Sequence, residues 1–393
     1  MAPVKNGRYL YLAIPDGTPV HPLTHPANTN AAPIRTEFPE PGKTMVYDDS
    51  QTIDLDQDGA TPLEHGTFLV KVLVLSVDPY LRGKMRDPKI ESYTPAFVVG
   101  EPLYNYGIGV VLLSENAAFK PGDHLYGVFM FQQYVVESDP GAFRVIENRE
   151  GLPWSVYLGV CGMPGETAMY GWKEHAHPNK GETAFVTAGA GTHIEHSIPH
   201  ISYVLGFADR AASRASGPVG STVIQLAKAD GLKVIASAGS DDKVAWLSSI
   251  GADVAFNYKT VDTRAVLERE GPIDIYWDNV GGETLEAAIE YAARHARFTE
   301  CGMISQYNTA QPYHIKNLKS IVGKELSLSG FIVTSLRAKY EAEFRATFPR
   351  RVAEGEIRYR EERVHGLGNA GRAIVDVQRG RNFGKSVVVV ADE

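Results

Sequence analysis

The 393-residue sequence predicts an α/β fold, a doubly wound parallel sheet joined to a second, β-rich domain. Three observations lead there. The length exceeds one typical core, so two domains are expected. Up to about residue 155 the chain breaks into short apolar strands separated by turn signals. From Glu182 onward strands and amphipathic helices alternate, the pattern of parallel strands joined by right-handed crossovers.

In the first region, Thr67 to Tyr80 reads as a strand running into a turn at Asp-Pro. Val110 to Leu113, the stretch from Phe119 to Val128, and Gln132 to Val136 continue in short strands. Helical spacing enters from Pro164 to Glu174. The alternating series then runs strand Ala184–Ala188, helix Gly220–Asp230, strand Lys233–Ala238, helix Asp241–Ile250 and strand Val254–Tyr258. It continues with helix Thr263–Glu270, strand Ile273–Asp278, helix Glu283–Ala293 and strands Arg297–Ser305 and Leu326–Val333. A long helix, Arg337–Glu354, and a strand, Lys385–Val390, are expected to return to the first domain. The expected division is 1–155 with 336–393 for the β-rich domain and 156–335 for the parallel sheet.

Composition narrows the function. The formal charge of −8 argues against nucleic acid or an anionic membrane as partner, since neutralising phosphates takes clustered Lys and Arg. No apolar run approaches the roughly 18–20 residues that span a bilayer. The N-terminal segment lacks an apolar core followed by a small-residue cleavage site, so the cytosol is the expected compartment. Two cysteines, Cys161 and Cys301, can build neither a disulfide framework nor a four-cysteine zinc site. Each precedes Gly-Met in an apolar setting and reads as a small buried residue, with Cys301 also a possible cofactor neighbour.

In a doubly wound sheet a nucleotide lies beyond the carboxyl ends of the strands, its pyrophosphate at a helix N-terminus. The loop Ser216-Gly217-Pro-Val-Gly220 opens such a helix, and its glycines permit close approach of backbone N–H groups to phosphate. The second strand ends Ala236-Ser-Ala-Gly-Ser240 without the carboxylate that would bind the ribose of NAD, and Lys243 follows on the first helical turn. Asp241 and Asp242 suit a helix N-terminus structurally. NADP(H) is therefore the expected cofactor.

The segments Val72–Met85, Leu158–Ala168, Asn257-Tyr-Lys-Thr, Trp277–Glu283, Cys301–Asn308 and Asn382-Phe-Gly-Lys occur in order. Together they resemble the zinc-independent medium-chain dehydrogenases/reductases, specifically prostaglandin reductases (leukotriene B4 12-hydroxydehydrogenases) and plant NADP-dependent alkenal double-bond reductases, over nearly all of the chain from Phe38. The resemblance implies a Rossmann domain, a β-rich GroES-like catalytic domain and a homodimer. It implies reduction of α,β-unsaturated aldehydes or ketones, with oxidation of a secondary alcohol on a lipid-like substrate as the alternative. It places Lys243 and Tyr258 at the 2′-phosphate, and Gly191, Gly217, Gly220, Asn279, Cys301, Gly302 and Asn382 along the cofactor. Tyr307 stands nearest the substrate, with Tyr93 as second hydroxyl. Hydride addition to the β-carbon of an enone builds negative charge on the carbonyl oxygen, which a phenol or the cofactor ribose can stabilise. Catalytic zinc is not expected: Phe97-Val-Val-Gly-Glu-Pro lacks the Gly-His-Glu of the zinc enzymes, and no cysteine precedes Cys161.

Two segments depart from that pattern, about 17–36 and 192–217. The second falls inside the phosphate cradle, where a βα connection normally has about 2–6 residues; joining Gly191 to Pro218 would restore Ala-x-x-Gly-x-x-Gly. Its His193, His196 and His200 are not expected to bind a metal, because Pro199 interrupts the helix that would align them. Both segments begin at a Gly-Thr pair, contain a dipeptide able to encode a branch-like sequence and can close in frame on AG, so both are read as translated introns. Spliced transcripts retaining both stretches would refute this. A chain that carries the second insertion should bind NADPH weakly or not at all.

Overall fold

A computed structural model describes residues 3–15, 38–55, 63–187, 217–309 and 311–393. Both segments read as insertions, and Gly191, lie outside the described residues, apart from Gly217.

Six strands form a wholly parallel sheet in the spatial order Val254–Asn257, Lys233–Ala238, Thr183–Thr187, Ile273–Asp278, Ala292–Glu300 and Ser327–Gly330. By chain position this is 3-2-1-4-5-6, the doubly wound order whose direction reverses beside the first strand. Side-chain alternation sends neighbours to opposite faces. Tyr276 packs with Phe185 and Phe298 under one helical layer, whereas Trp277 joins the core on the other face. There the helix Met163–Gly171 lies so close that a Cβ on Gly171 would sit 2.4 Å from Phe331 and 2.7 Å from Trp277. The helix Pro218–Ala229 starts with proline in its first turn, where the missing N–H costs nothing.

The second sheet has seven strands. Six follow the order Glu361–His365, Lys385–Val389, Phe68–Val77, Tyr104–Ser114, His124–Met130 and Phe143–Val145, and Tyr134–Glu137 also pairs with Phe68–Val77. Only the first pair is parallel. The C-terminal strand thus returns to the N-terminal region as expected. One buried cluster joins the two sheets, because Leu73, Ile108 and Val387 pack in the same core as Ala184, Ile224 and Trp277. Among the described residues no helix is long and apolar enough to cross a membrane.

Three elements near the cleft differ most from the sequence reading. The strand expected at Arg297–Ser305 runs from Ala292 to Glu300, after which the Cys301 and Gly302 amides turn back to the Asp278 carbonyl and a short 3-10 turn, Ile304–Gln306, follows. The strand expected at Leu326–Val333 is confined to Ser327–Gly330, and the long helix begins early, at Val333 rather than Arg337. The strand Glu361–His365 and the helix Ala370–Gln378 have no counterpart in that reading.

Candidate active site

The carboxyl edge of the parallel sheet faces the β-rich part across a cleft of about 1110 Å³. Its lining includes Gly217, Gly220, Asn279, Cys301 and Gly302 from the parallel-sheet part and Asn382 from the β-rich part. The β-rich part also contributes the phenols Tyr80, Tyr93 and Tyr106, and Tyr307 lines the same cleft. Topology therefore brings together residues spread over more than two hundred positions.

Each expected cofactor residue has a definite place. Gly217 is the cap of the helix Pro218–Ala229, with extended backbone, and Gly220 lies in its first turn. Asn279 tightens the gap between the first and fourth strands: its backbone N–H donates to Thr187 Oγ1 at 2.8 Å and its Nδ2 to the Thr187 carbonyl at 2.5 Å. Its side chain is thus already engaged in a cross-strand clamp. Asn382 is buried and donates through Nδ2 to the Gly384 carbonyl at 2.8 Å, leaving its Oδ1 without a donor. Lys243 and Tyr258 are not on the cleft wall. Lys243 is fully buried at the head of the helix Asp241–Ser249, its Nζ donating to the Gly380 carbonyl at 3.2 Å. Burial, reinforced by Lys259, brings its pKa down to about 6. Tyr258 stands against Gly239, where a Cβ would come within 2.7 Å of the phenol oxygen.

The two expected hydroxyls differ. Tyr307 follows the turn Ile304–Gln306, and burial, with Tyr93 next in effect, drives its phenol pKa up, so it remains protonated. Tyr93 is 60% exposed, and among the described residues no hydrogen bond to another side chain fixes it. Burial, then Asp278 and Glu300, raise the Cys301 thiol to about 12, so it stays protonated near neutrality.

The sequence reading passed over a buried polar network on the same wall. Lys385 Nζ donates to Asp78 Oδ1 at 2.6 Å and to the Val77 carbonyl at 2.9 Å. Asn105 Nδ2 donates to Asp78 Oδ2 at 3.0 Å and to the Ser76 carbonyl at 2.8 Å, and Tyr80 donates to Asn105 Oδ1. Asp78, Tyr80 and Lys385 fall within or beside the motifs quoted above, so a signal for them existed; none marked Asn105.

Comparison with known proteins accords with this geometry. Residues 218–349 match the family model described as zinc-binding dehydrogenase, and residues 44–145 the one described as N-terminal domain of oxidoreductase. The chain is 38% identical over 330 residues to a 2-alkenal reductase (NADP(+)-dependent) of Nicotiana tabacum, covering 83% of this chain and 88% of that protein. It is 37% identical over 337 residues to (+)-pulegone reductase of Mentha piperita, covering 84% and 89%. The chain belongs to the zinc-independent medium-chain dehydrogenase/reductase family. The structure of CurA from Vibrio vulnificus in complex with NADPH superposes with a TM-score of 0.77 at 27% identity, covering 98% of this chain and all of that one.

Proposed function

We propose that this medium-chain reductase uses NADPH to reduce the carbon–carbon double bond of α,β-unsaturated aldehydes or ketones. The observation that carries the reading is the cleft itself, lined both by the glycines that open the helix Pro218–Ala229 and by phenols. The relatives named above, an alkenal reductase and a pulegone reductase, support the same chemistry.

The residues fit a 2′-phosphorylated dinucleotide. The second strand ends without a carboxylate, and the buried Lys243 amine, which among the described residues donates to a backbone carbonyl, would recover its charge beside a phosphate. The unsatisfied Asn382 Oδ1 offers an acceptor on the cleft wall. In this reading Lys243 and Tyr258 hold the 2′-phosphate, Gly191, Gly217 and Gly220 the pyrophosphate, and Asn279, Cys301, Gly302 and Asn382 the nicotinamide half. When bound, the cofactor supplies the hydride. The protein's part is to orient the enone, exclude water with the apolar walls, and stabilise the charge that develops on the carbonyl oxygen. Tyr307, protonated and buried, is proposed as a donor to that oxygen, with Tyr93 as the alternative.

The proposed division into 1–155 with 336–393 and 156–335 is supported by sheet membership, although residue 336 falls inside the helix Val333–Ala353. A homodimer is supported by the exposed Leu318 and Val322 beside the edge strand Ser327–Gly330, and sedimentation would test it. A cytosolic location completes the reading.

The test is an assay for cofactor oxidation with an enone and for cofactor reduction with the matching alcohol. In the protein shortened by residues 192–217, enone-dependent oxidation giving the saturated carbonyl compound is expected. Alcohol-dependent reduction alone would instead favour the secondary-alcohol dehydrogenase. Cofactor binding without turnover would favour an impaired form, the reading that the insertion in the phosphate cradle supports.

A further inference from the structure

Counting donors and acceptors separates two phenols on the cleft wall. Asn105 spends its amide N–H groups on Asp78 and Ser76, so its Oδ1 can only accept, and Tyr80 must donate to it. Tyr80 therefore has no proton left for a ligand. Tyr106, on the strand Tyr104–Ser114, is held the other way round. Arg337 Nη2 donates to the Tyr106 oxygen at 3.1 Å, and a guanidinium can only donate. No acceptor among the described residues takes the Tyr106 proton.

The holder is itself fixed. Arg337 Nη2 also reaches Glu166 Oε2 at 3.2 Å, and the Glu166 side chain is 1% exposed. Burial works against the Arg337 charge, but Glu166, Tyr106 and Tyr126 outweigh it and raise its pKa. Tyr106 stacks on Tyr126 with centroids 5.4 Å apart and planes 19° apart, which locks the ring. The result is an oriented phenol whose oxygen is polarised by a cation and whose proton is available to the cleft it lines.

We propose that Tyr106, positioned by Arg337 and Glu166, donates a hydrogen bond to the carbonyl oxygen of the substrate, while its neighbour Tyr80 acts only as an acceptor. This rests on the enone reading of the cleft and adds a donor to it. Tyr106 keeps its proton throughout: it shares the proton with the oxygen that gains electron density, and no bond to it breaks. Arg337 and Glu166 are positioning residues, separated from the ligand by the phenol.

The test uses the full chain without cofactor, so no turnover is needed. The probe is 4-phenylbut-3-en-2-one labelled with carbon-13 at the carbonyl, observed by infrared difference spectroscopy with the unchanged protein, Tyr106→Phe and Tyr80→Phe. Phenylalanine keeps the ring stacked on Tyr126, and circular dichroism checks the fold. With the unchanged protein and with Y80F, the bound carbonyl band should lie at lower frequency than in an apolar solvent. In Y106F a distinct part of that shift should vanish, leaving what the remaining donor supplies, and the Kd should rise about three- to tenfold, as expected for one lost hydrogen bond. An identical band and Kd in Y106F would overturn the assignment of Tyr106 alone. No saturable bound band with the unchanged protein would overturn the enone reading together with it.

Discussion

Asp278 and Glu300 lie directly opposite each other on neighbouring parallel strands, both at the carboxyl edge of the sheet. Asp278 Oδ1 accepts from the Val280 amide at 2.7 Å, the Gly281 amide at 2.8 Å and the Tyr276 hydroxyl at 2.9 Å. Asp278 Oδ2 and both Glu300 oxygens are buried with no donor among the described residues. Two adjacent carboxyls with donors on one side only will share a proton, and Glu300 is the one that keeps it. Burial first, then Asp278, pushes Glu300 up to about 9.

This pair makes stability depend on pH in a defined direction. A carboxyl whose folded pKa lies above its unfolded value binds more protons when folded, so stability falls as pH rises from the ordinary Glu range toward 9. Glu300→Gln imitates the protonated acid and should flatten that slope. Urea unfolding at pH 5 and pH 8 checks this: the glutamine variant should gain on the unchanged protein at pH 8, by on the order of 1 kcal/mol or more. Equal differences at the two pH values would contradict it.

Lys243 carries the opposite sign. Its folded pKa, about 6, lies below the unfolded value, so near neutrality the folded cofactor-free protein holds fewer protons than the unfolded chain. Stability from this group therefore rises with pH above about 6. A phosphate placed beside the amine restores its charge. NADPH binding at neutral pH should take up a proton and NADH binding should not, as read from calorimetry in buffers of different ionisation enthalpy. Lys243→Ala should abolish the uptake and weaken NADPH about ten- to a hundredfold, the loss of one charge-assisted hydrogen bond.

The Asp78–Lys385 pair is almost fully enclosed, with 6% and 3% of its side chains exposed. Breaking it by Lys385→Met leaves a buried carboxylate with no cation, and should cost about 3–5 kcal/mol in chemical denaturation. Asn105 and Tyr80 hang from the same carboxylate, so the wall of the cleft should loosen as well.

The insertion at 192–217 supplies a fourth expectation. Removing those residues joins Gly191 to Pro218 and restores a short turn into the helix Pro218–Ala229, whose amides would face the pyrophosphate. NADPH affinity of the shortened protein should exceed that of the full chain by at least about tenfold, equivalent to one or more recovered phosphate contacts. Equal affinities would show that the cradle tolerates the insertion.

Much of this was legible in the sequence, and for physical reasons. Lys233–Ala238, Thr263–Glu270 and Ile273–Asp278 were read to the residue because their periodicity is plain and Gly or Asp punctuates their ends. Glu361–His365 hid because Glu-Glu-Arg-Val-His is an edge strand with little apolar alternation. Arg297–Ser305 misled because Cys301 and Gly302 continue an apolar run while their amides already bend back to Asp278. The Tyr106–Arg337–Glu166 arrangement was invisible. Its members stand 171 and 231 positions from the arginine, and only the packing of two helices on a strand brings them together.

The central claim is that hydride passes from NADPH to the β-carbon of an enone. The direct measurement is reduction of an enone by the shortened protein with NADPH deuterated at the transferring position of nicotinamide C4, followed by locating the label. A saturated ketone with deuterium on the former β-carbon and none on the carbonyl carbon is expected. Deuterium on the carbonyl carbon of an allylic alcohol, with the double bond intact, would contradict it.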